Sequence, residues 1–175
     1  MWFASTWIYG LGLPWELGAR FFFEHLLDGD AASNLLSWRW VGGLQTKGKR
    51  YMFSPQNLNK FSNGRFSARK IVNKDINLKD NFDLFFSDEI YECNFQKSSN
   101  YLIMFENDLH EKTLKNLITK YKKVFIIFLS DNDRKIKISE AVKQFKKNLI
   151  KEFLIKFPKI ELVYSDKLMG ILDGI

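Results

Sequence analysis

The chain opens on an almost unbroken apolar run, Trp2 to Tyr9, which reads as the end of a buried helix. Gly10, Gly12 and Pro14 are expected to break it, and a second core helix is predicted from Trp15 to Leu27. Asp28-Gly29-Asp30-Ala31-Ala32-Ser33-Asn34 is small and polar and predicts a loop. A short aromatic helix through Ser37, Trp38, Arg39, Trp40 and Val41 should follow, weakened by Gly42 and Gly43. From Thr46 to Gly64 the polar residues crowd around Pro55, which predicts a long irregular segment of the kind a compact domain keeps only for a use. Residues 74–98 lose periodicity and read as a linker. Beyond them the pattern alternates: a strand at Tyr101–Phe105, a helix at Leu109–Tyr121, a strand at Val124–Leu129, a long helix at Ile138–Phe157 and a strand at Ile160–Tyr164. Strands separated by helices imply a parallel, right-handed βαβαβ sheet. The expected fold is therefore α plus α/β: a helical part over residues 1–73, a linker over 74–98 and a small three-stranded α/β unit over 99–175.

Composition sharpens this in two places. With 175 residues and 46% hydrophobic side chains, the chain can bury a core as one compact domain or two small ones. All five Trp (Trp2, Trp7, Trp15, Trp38, Trp40) lie within the first forty residues, so aromatic mass is concentrated at one end. The net charge of +7 favours an anionic partner such as nucleic acid, although Lys-rich solvated faces give the same balance. A single cysteine, Cys93, excludes an internal disulfide, and with only His25 and His110 a Cys/His zinc site is excluded too. The implied compartment is reducing, hence cytoplasmic. No basic residue precedes the opening apolar run, so it lacks the start of a secretory signal, and it is too short to span a bilayer. A bare apolar helix without cap or polar lead-in is expected to belong to a larger helical domain.

The segment richest in chemistry is Leu26-Leu27-Asp28-Gly29-Asp30-Ala31-Ala32-Ser33-Asn34-Leu35-Leu36-Ser37-Trp38-Arg39-Trp40. Two carboxylates around one glycine, then an amide, then Trp-x-Trp, lie between apolar helices. Taken singly each has a structural role: a buried Trp is core, Asp-Gly-Asp is a turn or a helix cap, and His25 is a satisfied core histidine. The ordered set of Trp15, Gly18, Asp28, Gly29, Asp30, Ala32, Asn34, Trp38 and Trp40 resembles the flavin domain of the cryptochrome/DNA photolyase family. Phe53-Ser54-Pro55 and Lys60-Phe61 with Gly64-Arg65-Phe66 extend the resemblance to about residue 73. It implies the C-terminal half of a photolyase-type FAD-binding domain, with FAD as cofactor and light-driven electron transfer as activity. Asp28 and Asp30 would bracket the flavin and Asn34 would face the isoalloxazine nitrogen protonated on reduction, where an amide can donate or accept. Trp38 would be the flavin-proximal electron donor and Trp15 the next relay. Trp40 and Met1 would face the substrate pocket and meet DNA carrying pyrimidine dimers; Arg50 and Arg65 join them as candidate DNA contacts on their charge alone. A complete assembly would be a light-dependent photolyase, a carbon–carbon lyase. The family's domain extends upstream of the position matching Met1, so a second chain or a homo-oligomer is expected to complete the pocket. Where the family has Asn-Asn-Gly-Gly-Trp, this chain has Asn34-Leu35-Leu36-Ser37-Trp38, which removes backbone freedom beside the proximal Trp.

Lys47, Lys49, Arg50, Lys60, Arg65, Arg69 and Lys70, interleaved with Tyr51, Phe53, Phe61 and Phe66, suit either a nucleic-acid backbone with unstacked bases or a solvated loop over an aromatic core. Two other readings stand beside the flavin one. The chain could be a non-enzymatic remnant or interaction protein, or its α/β unit could bind a nucleotide or phosphate at Ser130-Asp131-Asn132-Asp133-Arg134, after the second strand. No Gly-rich phosphate loop follows any strand, the two aspartates serve helix capping as well as a metal ion, and Lys143, Lys146, Lys147 and Lys151 read as the solvated face of the long helix.

Overall fold

The apolar opening run folds as a short α-helix, α1 (Trp2–Ser5), which widens without interruption into a π-helix over Thr6–Leu11. Gly10 lies inside that π-helix and does not break it. The break comes at Gly12, whose φ of 74° is left-handed and favours a residue without Cβ. In this computed structural model residues 1–46, 48–66, 75–79, 100–168 and 170 are described.

Pro14 precedes α2 (Trp15–His25), which ends just short of the expected Leu27. The Asp-rich segment differs more from expectation. The predicted polar loop is helical from Ala31, in a single helix α3 (Ala31–Gly42), because the Asp30 side chain caps it by accepting from the Ser33 N–H at 2.7 Å and two alanines fill its first turn. Gly43, at φ 74°, terminates it. The irregular segment likewise contains a helix, α4 (Pro55–Phe61): the Ser54 hydroxyl accepts from the Asn57 N–H at 3.2 Å, and Pro55 occupies the first helical position, where no N–H is missed. Ile8, Tyr9, Trp15, Ala19, Trp38 and Val41 form the core of this part, with Ile76 and Leu78 packed against it. Tyr9 Oη donates to the Val41 carbonyl at 3.3 Å and Ser5 Oγ to that of Tyr51 at 2.7 Å, which ties the opening helices to α3 and the segment after it. Residues 74 and 80–98 of the expected linker, Cys93 among them, and the cations Lys47, Arg69 and Lys70 lie outside the described residues.

The alternating pattern of the second part folds as β1 (Tyr101–Phe105), α5 (Glu111–Ile118), β2 (Lys123–Phe128), α6 (Glu140–Lys156) and β3 (Ile160–Tyr164). The sheet is parallel in the order β1-β2-β3, with Tyr101 opposite Lys123 and Val124 opposite Ile160. β2 is central, which is why Val124 to Phe128 is a continuous apolar run and buried throughout. Its alternate residues serve two faces: Val124, Ile126 and Phe128 pack with Leu114 of α5 and Ile150 and Phe153 of α6, while Phe125 and Ile127 pack with Val163. The chain divides into two compact units, Met1–Ser87 and Asp88–Ile175. Among the described residues no helix is long and apolar enough to cross a membrane.

Candidate functional site

The antiparallel approach of α2 and α3, joined by the turn at Leu27-Asp28 that the Gly29 N–H closes on the Leu26 carbonyl, leaves a pocket of about 500 Å³ along one side of the helical unit. Its apolar wall comes from Ala4, Phe22, Leu26, Leu36, Trp38 and Val41, and its polar groups from Asp28, Asp30, Ser33, Asn34, Ser37 and Gln45, with Met1 and Trp40 at its margin. Four residues expected to hold a cofactor, Asp28, Asp30, Asn34 and Trp38, thus line one cavity. Phe22, Leu26, Ser33 and Gln45 line it as well and were not foreseen. For Phe22 and Leu26 the signal was helical spacing alone, since they lie four apart.

Two of the polar side chains are fixed. The Asp30 carboxylate caps α3, and its hydrogen bonds from Ser33 hold its pKa below the ordinary value. The capping and pocket-lining roles foreseen as alternatives therefore fall on the same side chain. Asn34 donates from Nδ2 to the Ala19 carbonyl at 2.6 Å. A carbonyl only accepts, so the amide is oriented, and Oδ1 is left as the acceptor it can offer a ligand. The same bond fastens α3 to α2.

Trp38 is 2% exposed and seated in a notch made by Gly18. A Cβ at Gly18 would lie 2.2 Å from Trp38 Cη2 and 2.5 Å from Cζ3, so the indole lies on the bare backbone of α2. Trp15, one turn earlier on α2, is equally buried in the same core and does not line the pocket. Three further rings meet Trp38 edge-on: Phe22 at 5.2 Å, Trp7 at 6.3 Å and Phe3 at 6.4 Å between centroids. Trp7 had no role in the sequence reading, because nothing in its spacing announces a contact across to α3.

The residues expected to meet DNA separate. Trp40 is 41% exposed and tilts against Tyr51 at 5.9 Å, whose hydroxyl accepts from Trp2 Nε1 at 3.2 Å. Arg50 lies outside the pocket lining and pairs with Asp75 at 3.0 Å, while Arg65 is exposed beyond α4 and does not line the pocket either. His25 is not the core histidine expected. It is exposed, stacked on Phe21 at 4.5 Å, with Nδ1 bonded to the Phe21 carbonyl at 2.9 Å.

At the C-terminal ends of the strands in the second unit, polar groups satisfy one another. Asp133 accepts from the hydroxyls of Ser130 and Ser165, and Asp131 accepts from Lys143 at 2.6 Å. Glu106, after β1, accepts from Arg134 at 2.6 Å and the Leu129 N–H at 3.1 Å and pairs with Lys146 at 3.0 Å. Two of the four lysines read as a solvated face are therefore turned to the loops at the strand ends: Lys143 to Asp131 and Lys146 to Glu106, with side chains 12% and 16% exposed. Among the described residues no group of three His, Cys, Asp or Glu side chains could hold a metal ion.

Residues 1–71 match the family model for the FAD binding domain of DNA photolyase. A deoxyribodipyrimidine photo-lyase of Streptomyces griseus is 50% identical over 36 residues, a stretch that covers 21% of this chain and 8% of that protein. No solved structure matches the chain.

Proposed function

We propose, from the match of residues 1–71 to the FAD binding domain of DNA photolyase, that this chain holds FAD against the pocket between α2 and α3 and supplies it with an electron in the light. The convergence of Asp28, Asp30, Asn34 and Trp38 on one cavity carries this reading. The residues suit the group: a mostly apolar wall for a planar ring, an oriented amide whose free oxygen accepts from a ring N–H, and a buried indole beside them. When bound, FAD supplies a light-absorbing one-electron acceptor. Trp38, screened from water and held by Gly18, gives up the electron, and Trp15 in the same core refills it. At the pocket margin Trp40 and Met1 offer surface on which an everted pyrimidine could stack, with Arg50 and Arg65 for a DNA backbone; base eversion is a behaviour that general accounts already give for photolyases. In that setting the activity is light-dependent repair of pyrimidine dimers. The open pocket is completed by further protein, a second copy or another chain, consistent with the exposed Phe3, Leu17 and Phe21 nearby.

The test is the absorption spectrum of the purified chain before and after incubation with FAD and desalting, with its mass measured by size exclusion. A retained flavin band with a mass above the monomer is expected. A folded chain that stays colourless with FAD, alone and with candidate partner chains, contradicts the proposal.

A further inference from the structure

We propose that Trp7 is a second, solvent-connected electron donor to Trp38, in parallel with Trp15. The inference rests on the flavin reading above and adds to it a residue that the reading does not use. Phe3, Phe22 and Trp7 meet Trp38 edge-on, and of these three only the indole can be oxidised by an indole, since phenylalanine lies at far higher potential. The Trp7 and Trp38 rings cross at 85° with centroids 6.3 Å apart, which brings the edge of one against the other with no intervening side chain needed. Such a contact is short for electron tunnelling, whose rate falls steeply with edge-to-edge distance.

Burial separates the two candidate donors. Trp15 is 2% exposed, whereas Trp7 is half-buried and reaches water. Its Nε1–H donates to the Pro14 carbonyl at 2.8 Å, so a positive charge on the ring would be stabilised by an oriented dipole at the atom where it most acidifies the proton. Between the two residues the chain turns at Gly12, whose φ is 74°, and Trp7 itself stands in the π-helix, a wider turn than an α-helix makes. The electron count is simple. Trp38 loses one electron to the excited flavin, Trp7 passes one electron to oxidised Trp38, and an external thiol returns one electron to Trp7, releasing a proton as two thiols pair to a disulfide over two cycles. No bond to either indole forms or breaks.

Two measurements decide it. In the FAD-loaded chain, Trp15→Phe should leave substantial photoreduction with thiol present, while Trp7→Phe/Trp15→Phe slows it by a further factor of about ten or more at unchanged flavin content; phenylalanine keeps an aromatic ring in place, at some loss of packing volume, and removes the donor. In the flavin-free chain, a soluble one-electron photo-oxidant is used and oxidised peptides are mapped by mass spectrometry. Buried Trp38 should be oxidised in the wild type and several-fold less in Trp7→Phe, with the melting temperature little changed. If the chain takes up no FAD, the flavin reading fails and the second measurement still judges the indole pair. Equal Trp38 oxidation with and without Trp7, or a double variant no slower than Trp15→Phe, overturns the proposal.

Discussion

The Gly18 notch shows how much depends on a single missing methyl group. Alanine there would drive a Cβ into a ring that Phe22, Phe3 and Trp7 also crowd, so the indole has little room to retreat. Gly18→Ala should cost about 1–3 kcal/mol of stability in the helical unit, read from urea unfolding. Full stability in that variant would mean that Trp38 moves freely. Trp38→Phe tests the chemistry at the same place: photoreduction of bound flavin should fall by at least about tenfold with flavin content unchanged, alongside a cavity cost of about 1–3 kcal/mol. Equal loss of flavin would make the indole a packing residue only. That Asp28, Asp30, Asn34 and Trp38 would share one pocket was legible because their order along the chain is dense and distinctive. The notch and the Trp7 contact were not, since both join residues brought together only when α2 and the π-helix pack on α3.

Among the elements, the strands were legible and the helix starts were less so. β2 and β3 announce themselves by apolar runs of strand length, whereas α3 begins inside a segment whose Asp, Gly and Ser favour turns until Asp30 caps it. Glu106 escaped attention altogether, because a lone carboxylate after a strand gives no sign of burial. In the fold it joins three elements, bonded to the backbone beyond β2, to Arg134 and to Lys146 of α6, with its side chain 2% exposed. Burial alone would raise its pKa, but the hydrogen bonds from Arg134 and Lys146 together outweigh it and hold the value below the ordinary 4.5. A carboxylate depressed on folding contributes stability that is complete above its unfolded pKa and is lost as pH falls through the folded one. Thermal unfolding of the α/β unit should therefore be flat with respect to this group above pH 4.5 and weaken in acid below it. Glu106→Gln should remove that acid dependence while costing about 3 kcal/mol at neutral pH, because Arg134 and Lys146 then lie buried without their anion. An unchanged acid profile in the Gln variant would assign the titration to another group.

At the scale of the whole molecule, each unit has a core of its own, aromatic in Met1–Ser87 and centred on a parallel sheet in Asp88–Ile175. The proposed cofactor pocket draws only on the first, since its lining runs from Met1 to Gln45. A ligand that binds one folded unit stabilises that unit alone, by about 2.7 kcal/mol at a hundred times its Kd. Calorimetry should accordingly resolve two transitions. FAD should raise the one that Gly18→Ala lowers, and leave in place the one that Glu106→Gln and acid lower. The assignment is sharp because the two substitutions sit in different cores and share no partner, so their effects should add. If Gly18→Ala and Glu106→Gln instead displace a single common transition, the units unfold as one, and FAD would then protect the sheet as strongly as the helices that hold it.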